Sequence, residues 1–320
     1  MTNEAHSAFT IQHSAFFLIV GDANADISAF LQHYPSEGSD SLINALGWSS
    51  GGSASNVAAD LALLGGKARL LARVGTDPAA AHALQAARNA GVDLQALQID
   101  TRQTTGLCFA AISASGERTL FSYRGANAAL CYPTESLLHN IGWLHIGGHA
   151  LIEGQQRQTV LQLVDLAQQH DIPISIDLCL PLINMHRQHI TALLPAFKIL
   201  FANQAEILAL SEQHNLDAAL HGLSALLPAL TVIKMGNHGC LLQKKQGLQL
   251  HIAAPEVRAQ DTTGCGDAFV AGFLYGIQQA AAPESCARFA SICGAATARH
   301  AGAVLVAEDL QWINVMRAEI

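Results

Sequence analysis

The sequence predicts an α/β fold: a mostly parallel sheet covered by helices on both faces. Three observations lead there. Short continuous apolar runs such as Phe16-Phe17-Leu18-Ile19-Val20 recur along the chain, as strands buried on both sides do. Helical patterns separate most of these runs. Near the C-terminal end, Gly264-Cys265-Gly266 turns directly into a helix-periodic apolar run over 268–277, with Asp267 where that helix begins.

In order along the chain, the first strand covers 16–20 and Gly21-Asp22 ends it. Residues 27–48 are strand-and-turn in character. A helix is expected over 53–64, because Val57, Leu61 and Leu64 recur at helical spacing and Gly65-Gly66 stop it. A strand over 68–74 follows, then a helix over 78–90 closed by Gly91. The β-like runs 106–113 and 117–123 flank Ala114-Ser115-Gly116, which reads as a hairpin and not a crossover. Further strands are expected at 143–146, 174–177, 199–202 and 230–235, with helices at 155–169 and 204–213. No linker-like change of composition and no internal repeat interrupts the chain, so residues 1–320 read as one domain with a small β-sheet projecting from it.

Composition narrows the function. Of 320 residues, 50% are hydrophobic and 13% charged, enough apolar material for a large core. No apolar run has the length of a membrane span, and no signal peptide is visible at Met1-Thr2-Asn3-Glu4. Seven cysteines without paired spacing suggest reduced thiols and a cytoplasmic setting. The fifteen histidines are dispersed; His186 and His189 can share a helix face, but no third metal ligand is evident. A net charge of −8 disfavours nucleic acid as a partner.

The turn at 264–266 carries the chemistry. A helix start presents unpaired N–H groups and the positive end of the macrodipole, and glycines let that backbone approach an anion. Gly264, Cys265 and Gly266 can therefore cradle a phosphate, and Asp267 places a base beside it. Transfer of a phosphoryl group to a hydroxyl requires that pair of features. Asn24 and Asp26 follow the first strand, where α/β folds bind ligands, and both side-chain types can grip sugar hydroxyls. Gly52, Ser53 and Asn56 open the next helix. Asn203 and Glu206 share one helix face and also fit a plain capping box. Asp177 ends a central strand.

At these residues a family resemblance becomes plain. Asp261-Thr262-Thr263-Gly264-Cys265-Gly266-Asp267-Ala268-Phe269 resembles the C-terminal signature of the PfkB carbohydrate kinases, the ribokinase-like family. Gly51-Gly52-Ser53-Ala54-Ser55-Asn56 is similar to the same family's sugar-binding segment. The resemblance implies a three-layer domain, with the segments at about 27–48 and 104–126 forming a β lid over the sugar and a homodimer contact. It implies ATP and Mg²⁺ as cofactors and assigns the substrate aspartate to Asp26 and the catalytic base to Asp267. On the nucleotide side it implies Asn203, Glu206, Lys234, Gly236, Gly239 and Gly266. It further implies a monovalent cation, K⁺, at Asp261, Thr263 and the loop containing Gly302. Cys265 and Ser291 depart from residues the family often carries there. Arg124, leaving the lid, reads either as a ligand for an acidic or phosphorylated substrate or as a solvated arginine.

An ATP-dependent kinase acting on a primary hydroxyl of a free pentose or hexose is the leading reading, since the residues beside the substrate segment are neutral. A nucleoside kinase is an alternative, with Phe30, Phe109 and Phe121 available to a base; a 2-keto-3-deoxy sugar acid is another. A dinucleotide oxidoreductase fits poorly, because the glycine turn lacks a third glycine and lies far from the first strand. No Walker A sequence is present. A non-catalytic sugar sensor would have no need of Asp267.

Overall fold

The computed structural model describes residues 15–245 and 247–318. Its main sheet has eight strands. In spatial order these are β14 (Gln249–Ile252), β13 (Cys240–Lys244), β12 (Leu230–Lys234), β11 (Ile199–Asn203), β10 (Ile174–Asp177), β9 (Ile141–Gly147), β1 (Phe16–Val20) and β4 (Ala68–Leu71). Pairing is parallel from β4 through β12, and only β13 and β14 are added antiparallel.

Side-chain alternation divides this sheet between two cores. In β1, Leu18 and Val20 join one core with Leu144, Ile146, Ile176 and Leu200. Over these pack α4 (Gly154–Gln169), α5 (Leu180–Leu193), α6 (Gln204–Ser211) and α7 (Leu216–Leu223), through Val160, Leu163, Leu182, Ile207 and Leu220. Phe17 and Ile19 point the other way, to Trp143, Phe201 and Val232. That face is covered by α1 (Ser53–Leu63), through Val57 and Leu61, and by α8 (Cys265–Gln278), through Phe269, Val270 and Phe273. Helix α9 (Pro283–Thr297) packs on α8, and α10 (Ala307–Ala318) completes a smaller cluster with both. Each apolar strand is buried on both faces, which is why the runs read from the sequence are continuous and not alternating.

A second sheet of four strands runs β3 (Ile43–Gly51), β2 (Asn24–Leu31), β7 (Gly106–Ile112), β8 (Arg118–Tyr123). The expected hairpin is there, and β2 and β3 complete the sheet. Asn24 and Asp26, which follow β1 as expected, belong to strand β2 itself. Register separates the two faces of this sheet. Asp26, Ser28 and Phe30 share a face with Cys108, Ala110, Ile112, Leu120 and Arg118. Ile27, Leu46, Trp48, Phe109, Phe121 and Tyr123 share the other.

Two expected elements divide. The strand over 68–74 breaks at Ala72: β4 stays in the main sheet, and β5 (Arg73–Gly75) leaves to pair with β6 (Gln98–Asp100). A part-buried salt bridge from Arg73 to Asp100, at 2.8 Å, accompanies the departure. The helix over 78–90 becomes α2 (Ala79–Ala83) and α3 (Gln85–Asn89), separated by Leu84. Neither short helix has a side-chain N-cap, and tertiary contacts hold them in place of local propensity. One such contact is the stacking of His82 on Trp48, with ring centroids 5.0 Å apart.

Candidate active site

Helix α8 begins at Gly264, whose φ of 73° lies in the left-handed region. A Cβ there would stand 1.9 Å from the carbonyl oxygen of Ala303, so only glycine fits the turn against the 300–303 loop. Cys265 and Gly266 supply the first helical residues, and Asp267 lies in the first turn. The Asp267 carboxylate is clasped from α1: Ser53 Oγ donates to Oδ1 at 2.6 Å and Asn56 Nδ2 to Oδ2 at 2.8 Å. Burial pushes the acid up to about 6. Those two hydrogen bonds and Lys234 pull against that rise, and the charge of Asp177 adds to it. A carboxylate of this basicity is ionised at neutral pH and still accepts a proton readily.

Asp26 approaches from β2. It fits there because Gly51 has no side chain: a Cβ at Gly51 would lie 2.1 Å from the Asp26 carboxylate. Burial, then the charge of Asp267, pushes Asp26 up to about 7. Asp26 Oδ1 and Asn56 Oδ1 are both buried without a hydrogen-bond partner among the described residues. Buried oxygens left in that state call for donors, and sugar hydroxyls are donors. Asn24 is held by Asn127, whose Nδ2 donates to Asn24 Oδ1 at 2.8 Å while its Oδ1 accepts from the Ala23 N–H at 3.0 Å. Gly106 leaves room for this pair, since a Cβ there would lie 2.2 Å from Asn127 Nδ2.

Two cavities meet at the turn. The smaller, of 280 Å³, is lined by Ser53, Asp177, Glu206, Lys234, Gly264, Gly266 and Asp267. The larger, of 730 Å³, shares Lys234 and Gly266 with it. It runs past Gly236 and Gly239 to Phe269, Ser291 and Ala295. Lys234 Nζ bonds both Asp177 oxygens, at 2.6 and 2.7 Å. Burial opposes its charge, but Asp177 and Glu206 outweigh that and hold the ammonium protonated. Glu206 is pushed up to about 7, by burial first and by Asp177. The arrangement is a chain of acids around one ammonium, opening onto a long, mostly apolar slot.

The residues singled out from sequence come together unevenly. Asp26, Gly52, Ser53, Asn56, Gly264, Cys265, Gly266 and Asp267 gather around the turn. Ser53 and one end of Asn56 orient Asp267, which the sequence did not suggest. Asn203 and Glu206 form a complete capping box, Asn203 Oδ1 accepting from the Glu206 N–H at 2.9 Å and Glu206 Oε2 from the Asn203 N–H at 2.7 Å. Glu206 faces the smaller cavity as well. Gly236 and Gly239 line the larger one, and so does Ser291, whose hydroxyl is buried with no partner among the described residues.

Arg124 corrects the solvated reading. It is mostly buried, pairs with Asp22 at 3.2 Å, donates to the His149 carbonyl at 2.8 Å and bonds Gln156. Asp261, Thr263 and Gly302 do converge, but around the guanidinium of Arg118, which bonds both Asp261 and Thr263. His186 and His189 sit with ring centroids 6.1 Å apart, and no histidine, cysteine and carboxylate cluster suited to a metal occurs among the described residues. Gly106, Arg118 and Asn127 escaped sequence reading, as did the role of Gly51 in making room for Asp26. Their partners lie in other strands and loops, and nothing adjacent in the chain marks them.

Comparison with known proteins bears on this geometry. The profile of the pfkB family carbohydrate kinases matches residues 14–310. An ATP-dependent ribose-1-phosphate kinase of Halopiger xanaduensis is 29% identical over 286 residues, covering 89% of this chain and 93% of that protein. A fructokinase of Klebsiella pneumoniae is 28% identical, covering 82% and 90%. Among solved structures, Arabidopsis thaliana ribokinase complexed with ribose and ATP superposes with a TM-score of 0.81 at 21% identity, covering 94% and 98% of the two chains. A ribokinase II-like protein of E. coli with ATP and Mg²⁺ gives 0.83 at 20% identity, covering 96% and 100%. At these identities the superpositions show a shared fold.

Proposed function

The chain belongs to the pfkB family of carbohydrate kinases, phosphotransferases with sugar acceptors, and from that premise we propose that it moves the γ-phosphoryl group of ATP to a primary hydroxyl of a free pentose or hexose. The observation that carries this reading is the place of Asp267. It stands at the helix start between the two unpartnered oxygens of Asp26 and Asn56 on one side and Lys234 with Gly266 on the other. A sugar bound on the first side presents its hydroxyl to Asp267, and a nucleotide in the larger cavity brings its terminal phosphate to the turn.

Asp267 takes the hydroxyl proton as the oxygen attacks phosphorus, and the bond from the γ-phosphorus to the bridging oxygen breaks. Ser53 and Asn56 hold the acceptor lobes of Asp267 in place. The N–H groups of the 264–266 turn and the Lys234 ammonium meet the charge on the moving phosphoryl group. Glu206, which faces the smaller cavity, would hold a Mg²⁺, with Asp177 beside it once Lys234 turns to the phosphates; such an ion needs only one or two carboxylates. The ion neutralises phosphate charge when bound.

An unphosphorylated acceptor is favoured because Arg124, the arginine that leaves the lid, is already engaged by Asp22, Gln156 and the His149 carbonyl. The name of the Halopiger relative keeps a phosphorylated pentose in the comparison. A nucleoside acceptor is the second reading. Phe30 and Leu120 share the Asp26 face of the small sheet, and an apolar surface beside a ribose site suits a base. We also read the chain as one kinase domain with a lid at about 27–48 and 104–126, active in the cytoplasm as a homodimer joined through that lid. No described helix is long and apolar enough to cross a membrane.

ATP consumption over a panel of free pentoses and hexoses, ribose 1-phosphate, nucleosides and 2-keto-3-deoxy sugar acids tests the assignment. A free sugar should give the highest kcat/KM. A phosphorylated or acidic acceptor ahead by tenfold would overturn it.

A further inference from the structure

The family resemblance places a monovalent cation at Asp261, Thr263 and Gly302, and the residues present do not fit one. Asp261 Oδ1 accepts from the Thr263 N–H at 2.8 Å, from Thr263 Oγ at 2.6 Å and from Arg118. Asp261 Oδ2 accepts from the Gly302 N–H at 3.3 Å. Thr263 Oγ also accepts from Arg118. A bare cation needs free lone pairs, and here N–H and O–H donors surround the carboxylate. The positive charge at this point is already a guanidinium, whose planar fork suits a carboxylate.

Arg118 comes from a distant part of the fold. It opens β8, opposite Ile112, and shares a sheet face with Asp26. The small sheet therefore meets the main domain at two points on one face: Asp26 beside Asp267, and Arg118 on Asp261. Asp261 begins the segment whose later members, Thr262, Gly264, Cys265 and Gly266, line the two cavities. Whatever fixes Asp261 fixes the N–H groups that follow it.

We propose that Arg118 is a positioning residue that latches the small sheet onto the phosphate-binding turn and stands in for the monovalent cation there. Its fork closes on Asp261 and Thr263 when the sheet lies over the cleft, and nucleotide binding then needs no added K⁺. The side chains of Arg118 and Asp261 retain 34% and 20% of their exposure, so the pair is a modest one, of about 1 kcal/mol. That strength suits a latch that must open to release product; a fully buried pair would be far costlier to break.

The proposal rests on the kinase reading, and binding separates the two. The probe is the imido analogue of ATP with Mg²⁺, titrated calorimetrically into wild type and Arg118→Met, in KCl and in tetramethylammonium chloride of equal ionic strength. Wild type should bind equally in both salts. The variant should bind about fivefold more weakly in tetramethylammonium, and KCl should restore part of the loss. Hydrogen exchange of the 106–123 hairpin, which reads the latch without catalysis, should quicken in the variant. Tightening of wild type by several-fold in KCl would overturn the proposal, as would a variant that matches wild type in binding and exchange. Failure of both proteins to bind the nucleotide in either salt would remove the kinase reading itself.

Discussion

Among single residues, Asp267 and Asp26 are two buried acids raised for different reasons and to different ends. Asp267 rises to about 6, with burial opposed by Ser53 and Asn56. As the base it must be ionised, so kcat/KM is expected to fall as pH drops through about 6, along the acid limb of the rate profile. Asp267→Asn keeps the size and removes the base, and turnover should fall by about 10²–10⁴ while ATP and sugar still bind. Near-normal turnover in that variant would remove Asp267 from the mechanism. Asp26 rises to about 7 through burial and the neighbouring charge. Its folded state prefers the protonated acid. The stability this preference confers is complete below its unfolded value of 3.8 and is lost as pH rises through about 7. Asp26→Asn carries no charge at any pH. It should therefore unfold about 3 °C above wild type at pH 8, with the gap narrowing as pH falls and closing only near pH 4, while sugar affinity falls. A thermal midpoint unchanged at pH 8 would mean that Asp26 is not strained by its site.

At the scale of elements, the start of α8 was the most legible part of the chain, because its chemistry is local: glycine, glycine, aspartate and an apolar helix follow one another directly. Gly264 and Gly266 nevertheless do different work. Gly264 combines a positive φ with a Cβ position 1.9 Å from the Ala303 carbonyl, so Gly264→Ala must move backbone. It should cost at least about 2 kcal/mol of stability and weaken ATP binding tenfold or more. At Gly266 the nearest atom to an added Cβ is Lys234 Nζ at 3.4 Å, the end of a flexible side chain. Gly266→Ala should keep its thermal midpoint within about 1 °C and lose activity by crowding the phosphate. Equal thermal losses in the two variants would refute this division. The continuous apolar strands were equally legible, since burial on both faces leaves no other pattern. Elements decided by distant partners were not. The strand at 68–74 divides because Arg73 finds Asp100, and the helix at 78–90 breaks where it must pack under Trp48. Gly51, Gly106 and Asn127 serve groups in other strands, and Arg118 reaches Asp261 across 143 positions of sequence. No local spacing records such contacts.

At the scale of the whole molecule, the outer face of the small sheet is largely uncovered among the described residues, and that bears on assembly. The inner face of the small sheet carries Asp26 and Arg118 and looks onto the cleft. The outer face carries Leu46, Trp48, Phe121 and Tyr123, which are 55%, 45%, 54% and 49% exposed. Helix α2 shields part of it where His82 stacks on Trp48, but the remainder is a contiguous apolar patch of a kind that soluble monomers rarely present. The homodimer proposed above would seat a second copy of this chain here, because an isologous contact places the same aromatic strip on both sides. The patch lies behind the strand bearing Asp26, so pairing two such sheets would stiffen the part of the molecule that closes on the sugar. Trp48→Glu with Phe121→Glu puts like charges across that contact, at positions away from Asp267 and the nucleotide cavity. Sedimentation should give a dimer for wild type and a monomer for the double variant. The monomer should lose more sugar affinity than ATP affinity, since Asp26 belongs to the small sheet while the residues of the nucleotide cavity belong to the main domain. A wild type that sediments as a monomer at micromolar concentration would remove the contact, and a monomeric variant with unaltered sugar affinity would separate assembly from binding.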